Sequence, residues 1–126
     1  MSHRSRLCAA LVDVRAETYD ATVHFWGAAL DRTGEVSEQD PDYTVFGEVA
    51  PGVTFMVQRV DAPDRVHLDI ETDDVEAEVA RLVALGATEV ERIHSWVVMR
   101  DPVGILFCVV RIQSPEAFEA SATTWA

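Results

Sequence analysis

At 126 residues the chain has the length of one ordinary domain, and with 48% apolar residues it can bury a core, which sets disorder aside. Its net charge is −12, with 22 acids against ten basic residues and no basic cluster, so nucleic acid and anionic membrane surfaces are excluded as expected partners. A cationic or neutral small molecule suits that field better.

In chain order, "LCAALVDV" (7–14) predicts a first strand. Tyr19, Val23, Trp26 and Leu30 recur at helical spacing and predict a helix of about three turns. Phe25 and Trp26 on it are assigned to the core. Residues 34–39 and 43–49 read as strands joined through "DPD". Pro51-Gly52 makes a turn, and "VTFMVQRV" is a fourth strand. "DAPD" (61–64) reads as a linker.

The order then repeats. "RVHLDIE" is a strand, with Val66, Leu68 and Ile70 toward a helix layer and His67, Asp69 and Glu71 on the opposite face. Asp73 with Glu76 resembles a capping box. Val75, Val79, Leu82 and Val83 form the buried stripe of the next helix, and Gly86 suits its C-terminal end. "TEVER" and "SWVVMRD" are strands, "DPVG" is a turn, and "ILFCVVRI" is a final apolar strand. A short helix around "PEAFEA" either packs on the body or frays.

The chain therefore reads β-α-β-β-β twice. Leu11-Val12-Asp13-Val14 aligns with His67-Leu68-Asp69-Ile70, and Pro51-Gly52 before "VTFMV" echoes Pro102-Val103-Gly104 before "ILFCV". The expectation is a single domain over 1–126, with module one at about 7–60, module two at about 65–112 and a tail at 113–126. Cys8 and Cys108 lie in apolar runs and read as buried free thiols in a reducing compartment. The apolar run near the start breaks at Asp13, which does not suit a signal peptide, and no segment has the length of a membrane span. The expected location is cytoplasmic.

"ATVHFWGAAL", "HLDIETDDVEAEVARLVALGA" and "RDPVGILFCVV", in this order and spacing, resemble the vicinal oxygen chelate superfamily. That group includes glyoxalase I, bleomycin-resistance proteins, fosfomycin-resistance enzymes and extradiol dioxygenases. The likeness spans 7–112 and is nearest to the small glyoxalase-like domain. It implies an α+β fold of two βαβββ modules, whose curved mixed sheets form a cleft, and it implies a homodimer. Metal-using members take a His on the first strand, a Glu on the fourth, a His on the fifth and a Glu on the eighth. Here those positions carry Leu11, Met56 or Gln58, His67 and Cys108. One ligand of four matches, so neither a metal nor another cofactor is expected. A displaced set of His67, Asp69 and Asp13 is the alternative, and it departs from the family's geometry.

Without a metal, the expected site is an apolar cleft with few polar groups. Its candidates are Leu11, Asp13, Met56, Gln58, His67, Asp69, Trp96 and Cys108. His24, His94 and His3 suggest no catalysis; they are placed on an exposed helix side, in a turn and in a disordered start. The first functional reading is a metal-independent small-molecule binding protein of the bleomycin-resistance kind. A cationic aromatic ligand would suit the acidic field and Trp96. The second is a lyase or isomerase acting on a small carbonyl compound, with His67 as general base oriented by Asp69. A third is a partner domain without a ligand.

Overall fold

The structure, a computed structural model, describes residues 2–126. Its elements are β1 (His3–Val14), α1 (Ala16–Leu30), β2 (Glu35–Val36), β3 (Tyr43–Ala50), β4 (Val53–Arg59), β5 (Arg65–Thr72), α2 (Val75–Ala84), β6 (Thr88–Ile93), β7 (Trp96–Arg100), β8 (Leu106–Arg111), α3 (Pro115–Ser121) and β9 (Thr123–Trp125). They form the two expected βαβββ modules of an α+β fold. The chain divides into two compact units, Ala9–His67 and the residues up to Cys8 with Leu68–Ala126. Among the described residues no helix is long and apolar enough to cross a membrane.

In the unit Ala9–His67 the strands run β2-β3-β4-β1. β1 and β4 are parallel, with Leu11 beside Met56 and Asp13 beside Gln58. β3 lies antiparallel to β4, with Val45 beside Met56 and Tyr43 beside Gln58. Because side chains alternate along a strand, Val12, Val14, Phe55 and Val57 share one face and Leu11, Asp13, Met56 and Gln58 the other. The first face meets α1. Val14, Tyr19, Phe46 and Val57 are buried together, with Val23, Trp26 and Phe55 packed against them. Phe25 does not join them and is 60% exposed. Neighbouring residues diverge by 100° around a helix, so when Trp26 faces Phe55 its neighbour turns away.

The strand expected over 34–39 is only Glu35–Val36. The Ser37 hydroxyl accepts from the Asp40 amide and the Asp40 carboxylate from the Asp42 amide. These local bonds form a turn where a ladder would otherwise continue.

In the other unit the order is β5-β8-β7-β6, with β5 and β8 parallel, the start of β1 beside β5, and β9 antiparallel to β1. This repeats the first-fourth-third-second strand order of the other module. Val79, Ala87, Val97, Met99 and Val109 form the core, with Val75, Leu82 and Phe107 against it. α2 lies over β6, β7 and β8. That explains why Leu68 on β5 is exposed where a helix layer was expected; Val83 on α2 is exposed too. Val66, in the first unit, is likewise exposed.

The α2 cap sits one residue later than the capping-box reading placed it. Asp74 accepts from the Ala77 amide at 3.0 Å, while Asp73 accepts from the Arg4 amide at 2.8 Å and from Arg4 Nε at 3.1 Å. Gly86 follows the helix with φ +113°, the left-handed region expected for it.

The tail docks. Phe118 is fully buried, Arg4 lies over its ring at 4.9 Å, and Arg4 donates two bonds to Glu119. Trp125 donates from Nε1 to the Ser5 hydroxyl, and Arg81 lies over its ring at 3.8 Å. His3, expected in a disordered start, is buried in β1. Its Nε2 lies 2.8 Å from Glu78, which also accepts two bonds from Arg81.

Candidate functional site

On the face of the first unit's sheet turned from α1, Leu11, Met56 and Val45 form one row across β1, β4 and β3. The next row is Asp13, Gln58 and Tyr43. Asp13 is 0% exposed. One of its oxygens, Oδ2, accepts two bonds: from Arg65 Nε at 2.8 Å and from His67 Nδ1 at 2.7 Å. Its other oxygen, Oδ1, is buried without a hydrogen-bond partner among the described residues. A carboxylate out of water is costly unless paired. The guanidinium charge of Arg65 and the N–H of His67 provide that pairing.

An ionised carboxylate only accepts, so His67 must place its proton on Nδ1. The lone pair of the neutral ring is then on Nε2, which is the tautomer a general base needs. Arg65 and His67 reach the same oxygen because they are two residues apart on one face of β5.

Thus Leu11, Asp13, Met56, Gln58 and His67 come together in one unit. The register sets Met56 level with Leu11 and Gln58 level with Asp13. The carboxylate bonded to His67 Nδ1 is Asp13. The repeat aligns Asp13 with Asp69 in sequence, which gives the two carboxylates corresponding strand positions. Arg65 was not among the expected site residues. Its place on the His67 face of the strand was the available signal.

Asp69, Cys108 and Trp96 belong to the other unit. Asp69 is beside Cys108, and Cys108 is beside Val98. Trp96, two residues from Val98, therefore shares their face, and its ring centroid is 5.7 Å from that of His94. Both cysteines are buried and neither is in a disulfide, as expected. Burial pushes the Cys8 thiol up to about 12, with Glu71 and Asp69 adding to the rise. Glu71 is buried and structural. It accepts from Arg6 at 2.6 Å and from the amides of Gln113 and Ser114 at 2.7 and 3.0 Å.

A depression of about 680 Å³ lies at the ends of β5 and β8 beside the start of α2, and Trp96 lines it. Its charged groups are largely committed. Asp74 caps α2, Asp73 holds Arg4, and Arg92 is bound by Glu76 and Glu89.

The donors do not fit the metal set of the resembled superfamily. Leu11 offers a hydrocarbon at one of the four positions, Met56 or Gln58 a weak thioether or a neutral amide at a second, and Cys108 replaces a carboxylate at a third. Hard divalent ions need oxygen-rich shells.

Comparison with known proteins agrees with this architecture. A family model of the glyoxalase-like domain matches residues 9–110. The chain belongs to the glyoxalase-like domain family. That places it in the vicinal oxygen chelate superfamily, as its motifs suggested.

Among solved structures, this glyoxalase-like domain is similar to an NAD-dependent benzaldehyde dehydrogenase from Legionella pneumophila, at 13% identity and TM-score 0.63, over 83% of this chain and 98% of that one. A Streptomyces coelicolor methylmalonyl-CoA epimerase variant, in complex with 2-nitronate-propionyl-CoA, gives 17% and 0.56 over 86% and 95%. A Mn(II)-bound glyoxalase from Novosphingobium aromaticivorans gives 18% and 0.59 over 90% of this chain but 43% of that one. At such identities the likeness concerns the fold. No curated protein matches the chain.

Proposed function

We propose that this glyoxalase-like domain is a cytoplasmic, homodimeric protein that recognises a small molecule without a resident metal, with Asp13 and His67 as its polar contacts. The observation that carries the reading is the Asp13–His67 bond beside the apolar row of Leu11, Met56 and Val45. A few fixed polar groups beside an apolar strip are the usual make-up of a small-molecule site. Asp69, Cys108 and Trp96 are proposed as further contacts.

The test is a thermal-shift screen of carbonyl metabolites, aromatic acids and cationic drugs, with and without a chelator. At least one class should raise Tm equally in both conditions, and H67Q should remove the rise. No stabilising class, or one that needs added metal, would sink the reading. Light scattering should give twice the chain mass; a monomer would refute the dimer.

The Nδ1–carboxylate bond favours a second reading: a lyase or isomerase that moves a proton on a small carbonyl compound, with His67 as the base. Its sign would be exchange of a substrate C–H proton with deuterated water, lost in H67Q. Unchanged exchange in that variant would rule the role out.

A further inference from the structure

We infer that Arg65 is a specificity residue, and that the small molecule handled beside His67 carries a carboxylate or similar planar oxyanion. This rests on the small-molecule reading above and names the ligand class.

Asp13 Oδ2 holds Arg65 by Nε alone, at 2.8 Å. Among the described residues, neither of its two outer guanidinium nitrogens makes a hydrogen bond. The side chain is 40% exposed while the carboxylate that anchors it is 0% exposed. Arg65 is thus tethered at its inner nitrogen and presents its outer N–H groups.

Other arginines of the same unit are used differently. Arg59 lies over the Tyr19 ring and binds Asp42, and Arg15 pairs with Asp61 at 3.8 Å. Neither of them reaches a buried carboxylate, whereas Arg65 shares a buried oxygen with a histidine. Arg65 Nε and His67 Nδ1 lie no further apart than the sum of their two short contacts to that oxygen. A group bound by the fork therefore sits in the neighbourhood of the imidazole.

Charge leads to the same class. The chain carries −12 overall, which alone would favour a cation. Locally, the Arg65 guanidinium stands against the Asp13 carboxylate that anchors it, so the −12 of the whole chain is not the charge an arriving anion meets here. A guanidinium edge matches a carboxylate in shape, and the fixed side chain loses less entropy on binding than a free one. A bound carboxylate would leave the rest of the molecule beside the Leu11 and Met56 row, where carbon is favoured.

The test uses pyruvate, 2-oxobutanoate and benzoate as probes, with pyruvamide and benzamide as uncharged counterparts. Binding is read from the His67 ring signals by NMR and from Tm. In the wild type, carboxylates should shift the His67 signals saturably at millimolar concentration, and the amides should not. R65Q should weaken carboxylate binding about ten-fold or more, and R65K, which keeps the charge but loses the fork, should fall between. A cooperative melt of R65Q without probe, at whatever Tm, shows that the variant is folded. If R65Q proves unstable, R65K with benzoate replaces it, and an affinity equal to wild type then overturns the inference. It is equally overturned if amides bind as well as carboxylates, if no carboxylate shifts His67, or if R65Q binds like wild type. A neutral or cationic compound that stabilises wild type and R65Q alike would overturn this inference while leaving small-molecule recognition in place.

Discussion

Asp13 and His67 stand 54 positions apart, and one oxygen joins them. Strand alternation put both among the site residues, because it tells which face a side chain takes. It did not tell which carboxylate the ring would meet, since that depends on neighbours across strands distant in sequence. The same gap hid the role of Glu71, which alternation sends toward the cleft or solvent and which the structure uses to hold Arg6 and two amides of the tail. Replacing it with Ala removes the carboxylate from a buried guanidinium and from those amides. E71A should lose about 3 kcal/mol in urea unfolding. A loss below about 1 kcal/mol would show that the cluster contributes little. Cys8 is a second case. With its thiol pushed up to about 12, it should stay unmodified by iodoacetamide in the native protein near pH 8.5, the ordinary thiol value. Mass spectrometry that finds rapid labelling at Cys8 would contradict that placement.

Helices and strands were read well where periodicity is long and poorly where side chains redirect the backbone. The stripe of Tyr19, Val23 and Trp26 gave α1, and the β-branched runs gave β4, β7 and β8. The second strand shortened because Ser37 and Asp40 bond locally, which no alternation pattern shows. Gly86 was legible because a left-handed residue after a helix favours glycine. G86A would hold a side chain at φ +113° with its Cβ 3.3 Å from Pro102, and should cost more than about 1 kcal/mol. The tail could not be read, because "PEAFEA" alone does not say what Phe118 packs on. The aromatic ring is wholly buried, so F118A should cost about 3 kcal/mol and make the tail sensitive to limited proteolysis. A protease-resistant F118A would mean that β9 and Glu119 suffice to hold it.

Across the whole molecule, the order of motifs specified the fold, while composition set only the charge. That charge has a consequence at low pH. Glu78 is buried, which raises its pKa, but bonds from Arg81, His3 and Ser5 outweigh burial and hold it below the usual carboxyl value. A carboxyl lowered in the folded state adds stability that is fully present above its unfolded value near 4.5 and disappears as pH falls through the folded value. Wild type should therefore lose stability more steeply than E78Q below about pH 4.5. Parallel curves would show that Glu78 is not part of the acid response.

β1 is one unbroken strand, His3–Val14, that serves both compact units. Its odd positions supply His3 to Glu78 at one end and Asp13 to His67 at the other. An extra residue inserted midway would reverse the inside and outside of one end relative to the other. A change in the length of β1 must thus be absorbed by a bulge, or it sacrifices one of the two histidine–carboxylate bonds.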